Sequence, residues 1–362
     1  MNSENIKQWL QTHKPGLTLI AASGVPLAGL DDLELTDFAP YVAAINRAGT
    51  VAFQAAWRCN DQTGTGIFCG NGDELTHLAD HDGQWQFVSH PALNDDGVVS
   101  VYAEGAASQR VLLLWRGQGW RVIAAPDARF AAIGPLGPTM NAHGVVAFRA
   151  DDVHGHAGVY VGDEKSCHQL AVCDDRFAAF QGLPVINQSG QVLFRADLQD
   201  GAHGIYCADA KNSTVTLVQD NRGELAELGL FPMLNDAGDM IFAATRSNGV
   251  AEICCIDGAT GTRHTLLDST GGLQDLRGTV INKLGPVAFI ATPVGGGMSI
   301  YRFARSAHQA HSCVLAVGEA LGDSQVAGLA INPVSGNERG QLSIRVALKD
   351  GQQLILRSEA PV

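Results

Sequence analysis

An Asn-x-x-Gly tetrapeptide recurs seven times in the 362 residues, at Asn46–Gly49, Asn94–Gly97, Asn141–Gly144, Asn187–Gly190, Asn235–Gly238, Asn282–Gly285 and Asn337–Gly340. Successive asparagines are 48, 47, 46, 48, 47 and 55 residues apart, the last interval lengthened by a short insertion at Asn332–Gly336. A fixed period of this size means one small supersecondary unit used repeatedly. Each unit has the same grammar. An apolar pair precedes the Asn (Val185-Ile186-Asn187), and an alternating stretch follows the turn (Gln191–Ala196). Two further short runs come next, Gly204–Cys207 and Thr214–Val218. Period-two alternation bounded by Gly and Asn reads as strands joined by hairpins. Asn at the first turn position can bond its own backbone two residues on, and Gly supplies the positive φ. The repeat asparagines are therefore read as hairpin architecture, not as catalysts.

Four short strands per unit of about 45 residues describe a propeller blade, so seven turns predict an all-β, seven-bladed β-propeller. The 42 glycines agree with a turn-dense chain. The last unit supplies only three strands, ending at Gln353–Arg357, whereas Leu17–Gly24 resembles the fourth strand of other units, such as Cys313–Gly318. The N-terminal strand is expected to complete the last blade and remove the open sheet edge. Residues 1–16 then form a lead-in: a short helix capped by Ser3, with Ile6, Trp9 and Leu10 on one face, stopped by Pro15-Gly16 and packed on the rim. Residues 17–362 form a single propeller domain.

Three units, Asn46–Phe53, Asn141–Phe148 and Asn282–Phe289, carry the fuller pattern Asn-x-x-Gly-x-Val-Ala-Phe. Over residues 17–358 the chain resembles the bacterial tandem-repeat family named for its NxxGxxAF consensus. The resemblance implies a propeller-like repeat fold and a cell-surface setting, and it brings no catalytic motif with it.

Lys and Arg total 24 against 37 Asp and Glu, a net charge of −13, and no basic stripe appears. Nucleic acid and anionic membranes are therefore not expected partners. Met1–Leu19 has no apolar run of signal-peptide length, and no segment has the roughly 20 apolar residues needed to span a bilayer. The eight cysteines are irregularly spaced and read as reduced thiols of a cytoplasmic protein. Gly-x-Ser-x-Gly, His-Glu-x-x-His and Cys-x-x-Cys are absent, and no Gly-rich segment opens a helix as a nicotinamide or flavin fingerprint would. Asp80-His81-Asp82-Gly83 has oxygen ligands suited to calcium but lacks a continuing ligand pattern, and it reads as a turn. The oligomeric state is not legible.

Positions that break the repeat are where chemistry could have been added. Eight residues past the Asn stand Arg149, Arg195 and Arg345; ten residues past it stand Glu104, Asp151 and Asp197. These share one height and one strand face. One reading is a polar cluster at the channel mouth, with Arg149 and Arg195 clamping an anionic ligand and a carboxylate acting as base. The other is a set of Arg–Asp bridges within or between blades. His154, His156 and His203 occupy the matching loops of blades 3 and 4. With Asp151 or Asp197 they could bind a divalent metal or serve as acid and base, or they could simply be solvated loop side chains. His90 and Arg277 replace apolar residues or Gly on the channel-lining strand. Trp57 and Arg58, with Trp85 and Phe87, could wall a ligand or pack between blades. The functional expectation is a small polar or anionic metabolite bound at the channel mouth, with lyase, isomerase or hydrolase chemistry. The alternative is a non-catalytic protein-interaction platform.

Overall fold

The computed structural model describes residues 2–27, 33–40, 43–80, 85–105, 109–117, 119–212, 214–304 and 307–360. Positions 81–83 of the expected turn at Asp80–Gly83 lie outside them. Seven antiparallel sheets form a β-propeller, one sheet per Asn-x-x-Gly unit. Blade 4 is representative, running outward from the channel as Phe177–Ile186, Gln191–Leu198, His203–Asp209 and Thr214–Asp220. Blade 7 holds Ser324–Ala330, Leu342–Leu348 and Gln353–Ser358. Its fourth strand is β1, Leu17–Ala22, paired antiparallel so that Leu17 faces Ser358 and Ala22 faces Leu354. The start of the chain therefore closes the ring, as expected.

Phe53, Phe148, Phe194, Phe242 and Phe289, each seven residues past a repeat Asn, are buried in the core between blades. Burying one such ring contributes about 1.5–3 kcal/mol. Helix α1, Ser3–His13, docks on β1 and on Ala320–Leu321 of blade 7, with Ile6 and Leu10 buried. Its cap is Asn2, whose side chain accepts the Asn5 N–H. Ser3 is already helical, so the expected Ser3 cap is one residue late. The insertion before Asn337 is a 3-10 turn, Pro333–Ser335, capped by Asn332.

The repeat asparagines do more than shape hairpins. Each Gly of the motif has positive φ, from 76° to 111°. In six blades the Asn Oδ1 accepts the N–H four residues on, for example Gln191 N at 2.9 Å and Asp239 N at 2.8 Å. The other end of each amide reaches the next blade. Asn46 Nδ2 donates to the Asn94 carbonyl (3.3 Å), Asn141 to Asn187 (3.2 Å), Asn187 to Asn235 (3.0 Å), Asn235 to Asn282 (3.0 Å), and Asn282 to Asn337 (3.1 Å). Asn337 donates back to Asn46 at 2.8 Å. Asn94 differs by one residue, donating to Ala142 O at 3.1 Å. Seven buried amides thus make a continuous belt around one mouth of the channel.

The belt gives a sharp test. Asp is as good as Asn at the first turn position, so a turn role alone predicts that Asn187→Asp is nearly neutral. A belt role predicts that it sets a carboxylate against the Asn235 carbonyl. We expect Asn187→Asp to lower stability by at least as much as Asn187→Ala, each by about 1–3 kcal/mol, measured by urea unfolding.

Candidate functional site

The belt end of the channel holds a recess of about 130 Å³ lined by Ile45, Leu93, Met140 and belt residues. Around it, among the described residues, four that follow a belt Asn offer their N–H to the side chain of their counterpart in the next blade: Arg47 N to Asp95, Ala142 N to Gln188, Gln188 N to Asp236, and Lys283 N to Glu338. Burial holds the Glu338 carboxyl above its usual range, and the Asp236 and Asp95 charges push the same way. This ring is an assembly device.

The opposite end is shaped by proline. Pro91, Pro138, Pro184 and Pro232 sit midway along the inner strands and have no N–H for the ladder. In blades 2, 3 and 5 the inner strand breaks in two at this point (Leu225–Leu228 and Met233–Leu234 in blade 5). In blade 4 it stays continuous with a register shift between Gln181 and Val185. Carbonyls near the breaks are left for side chains to satisfy. Arg149 Nη1 donates to Gly182 O of blade 4 (3.2 Å), Arg195 Nε to Leu228 O of blade 5 (3.2 Å), and Arg345 Nε to Phe38 O of blade 1 (3.2 Å). The three equivalent arginines are clamps between neighbouring blades, holding backbone carbonyls where Arg–Asp bridges were expected; among the described residues, only Arg195 of the three also pairs with an aspartate, Asp197.

Glu104 pairs with Arg110 across its own hairpin at 3.2 Å, and Arg110 also lies over the Phe87 ring. Asp151 raises the Arg149 pKa against the larger lowering effect of burial. His90 is buried against Gly137 of blade 3, where a Cβ would come within 2.4 Å of its ring. Burial lowers the His90 pKa to about 4, so the ring is neutral at pH 7. Arg277 turns back on the Asp275 carbonyl (3.2 Å) and Met298 Sδ (3.0 Å). Trp57 packs edge-on to His77 over Gly64 in the blade 1 core, and Arg58 pairs with Glu34 at 2.9 Å. Trp57 is thus a core residue rather than a ligand wall, because its ring is consumed by packing.

The predicted histidine trio is not assembled. His154 and His156 ride an exposed turn whose N–H groups bond Asp152 Oδ1 at 2.8 and 2.9 Å, and these bonds help to hold the Asp152 carboxyl below its usual range. His203 faces blade 5 instead, with its Nε2 accepting the Leu228 N–H at 3.1 Å. Among the described residues, no group of three or more His, Cys, Asp and Glu could hold a metal ion.

Three of the predicted residues do converge, on the seam between blades 4 and 5. Arg195 Nη1 bonds Asp197 Oδ1 at 2.7 Å, and Gln181 Nε2 bonds the other Asp197 oxygen at 2.7 Å. His203 lies close enough for both charges to act on it, and its Nε2 is 3.4 Å from Glu227 Oε2. Because Nε2 is an acceptor, the proton sits on Nδ1. Burial, then Arg195, lower the His203 pKa, and Glu227 and Asp197 partly offset them. The side chains of Arg195 and His203 are only 8% and 9% exposed, whereas Asp197 is 35% and Glu227 69% exposed. The accessible charges are therefore carboxylates, and Arg195 does not present an anion clamp. Sequence reasoning missed Gln181, Glu227 and Arg110. The hairpin register opposite Glu104 could have shown Arg110, but the seam between blades is not visible in the repeat.

The neutral His90 links folding to pH. Its folded pKa of about 4 lies below the usual 6.5, so the unfolded chain binds the extra proton between those values. Stability is full above pH 6.5 and falls as pH drops toward 4, by up to about 3 kcal/mol. His203 acts with the same sign. Urea midpoints measured at pH 7.5, 5.5 and 4.5 should fall more steeply for wild type than for His90→Asn.

No family model matches the sequence, and no curated protein matches it. Solved structures do. An oligogalacturonate lyase in complex with manganese superposes with a TM-score of 0.62 at 11% identity, over 95% of this chain and 97% of that one. An oligogalacturonate lyase from Vibrio parahaemolyticus gives 0.59 at 8% identity, over 95% and 98%. TolB from Acinetobacter baumannii gives 0.45 at 12% identity over 87% of this chain, which spans only 62% of that protein's length. At these identities what the chain shares with the two lyases is the propeller fold.

Proposed function

We propose that the protein binds a small polar ligand at the channel mouth opposite the asparagine belt, on the seam between blades 4 and 5. One observation carries this reading: Gln181, Arg195, Asp197, His203 and Glu227 form a single polar cluster with the buried Arg195 cation and the neutral His203 behind and carboxylates at the surface. Carboxylates accept hydrogen bonds from ligand hydroxyls, and an exposed carboxylate such as Glu227 can take or return a proton. Lyase, isomerase and hydrolase reactions on hydroxylated substrates all use such a step. The two lyase folds make oligogalacturonate a rational first probe, although its negative charge would have to meet the exposed carboxylates. Membership of the NxxGxxAF repeat family is part of the proposal and is supported by the seven hairpins. So is a cytoplasmic setting, supported by the irregular spacing of the eight cysteines. No described helix is long and apolar enough to cross a membrane.

The second reading, an interaction platform, is favoured by Leu230 and Phe231, which stand exposed side by side just past the cluster. The two readings separate by mutation. Thermal-shift titration with oligogalacturonate and neutral hexoses should show stabilisation that Glu227→Gln weakens and Phe231→Ser leaves in place. Identical ligand shifts in wild type and Glu227→Gln would remove the cluster from the site. Partner capture lost only with Phe231→Ser would favour the platform.

A further inference from the structure

Blade 5 departs from blades 1, 3 and 4 at one column of the sheet. The third strand of blades 1, 3 and 4 carries Gly-x-aromatic: Gly66-Ile67-Phe68, Gly158-Val159-Tyr160 and Gly204-Ile205-Tyr206. The ring leans over the glycine, so closely that a Cβ on Gly158 would lie 2.6 Å from Tyr160 and one on Gly204 3.0 Å from Tyr206. Blade 5 has Glu252-Ile253-Cys254 instead. Loss of the ring and gain of a carboxylate turn an aromatic contact into a polar network. Glu252 is fully buried. It accepts from Cys254 Sγ (3.1 Å) and Thr265 Oγ1 (3.0 Å), and pairs with Arg246 Nη2 at 2.5 Å. Arg246 also stands 3.5 Å from Asp268 Oδ2, while Thr270 holds the other Asp268 oxygen at 2.5 Å.

A buried ion pair of this kind rarely adds stability over well-packed apolar residues. Here it fixes a guanidinium at the edge of a cavity. Between blades 5 and 6 lies a pocket of about 390 Å³ lined by Arg246, Thr265, Asp268, Thr270, Leu273 and His311, with Gly271 at its border. Its volume falls within the range of small-molecule sites. The His311 ring is itself backed by Tyr301 and Phe289 at 5.3 and 5.7 Å.

We propose that this pocket between blades 5 and 6 binds a neutral polyhydroxylated ligand the size of one sugar ring. Arg246 offers N–H donors and Asp268 a carboxylate acceptor side by side, the pair that adjacent hydroxyls require. Leu273 and the His311 ring supply an apolar wall for the C–H face of such a ring. One arginine against two carboxylates leaves the pocket net negative, which disfavours anions. The site is separate from the channel-mouth cluster and uses none of its residues.

The test uses the full chain and named probes: methyl glycosides of glucose, galactose, mannose and fucose, with inorganic phosphate as the anionic comparison. Gly271 has no positive φ, and a Cβ placed on it meets nothing within 4 Å, so Gly271→Leu should fill the pocket without a clash. Saturable binding of at least one glycoside by calorimetry or NMR is expected, weakened about tenfold or more by Gly271→Leu and by His311→Ala. Arg246→Leu alone would strand Glu252, so the charges are removed together in Arg246→Leu/Glu252→Leu, which should fold and lose binding. No glycoside binding up to about 10 mM overturns the proposal. Binding unaffected by Gly271→Leu, or phosphate binding tighter than every glycoside, overturns it equally.

Discussion

The fold depends on one repeated interaction: a buried asparagine amide that closes its own hairpin with its oxygen and holds the next blade with its nitrogen. Each blade alone is a small twisted sheet with too little apolar area to be stable. Stability comes from stacking blades around an axis, and stacking needs a register between sheets that do not share a ladder. The amide belt supplies that register at one end of the channel. Asn suits both tasks because it carries a donor and an acceptor in one short side chain. The same belt, with its ring of charged neighbours, occupies that mouth of the channel.

At the opposite end architecture and chemistry compete for the same side chains. Prolines interrupt the inner strands, and the carbonyls near the interruptions are met by Arg149, Arg195 and Arg345. A guanidinium spent on a neighbouring backbone is not available to a ligand. What remains accessible on the seam between blades 4 and 5 is carboxylate. His203 shows the same economy, since its Nε2 is occupied by the Leu228 N–H.

Blade 5 shows how a repeat can be altered without losing its packing. Cys254 takes less room than the Phe68, Tyr160 or Tyr206 ring, and Glu252 occupies the place that a glycine holds in blades 1, 3 and 4. The exchange keeps the column filled while fixing Arg246 beside an open cavity.

Blade number, ring closure by Leu17–Ala22 and the hairpin role of the asparagines were legible in the sequence, because all three follow from local periodicity and turn chemistry. The cap of α1 was misplaced by only one residue. The partners of the ionisable residues were not legible. Glu104, Asp151 and Asp197 do share a height, as strand alternation requires, but whether each meets a ligand, a solvent molecule or the next blade depends on contacts between residues tens of positions apart. His203 turns toward blade 5, where its Nε2 accepts the Leu228 N–H across the seam between blades, rather than toward His154 and His156. Repetition encodes what each unit does to itself. Only the closed ring decides what one unit does to the next.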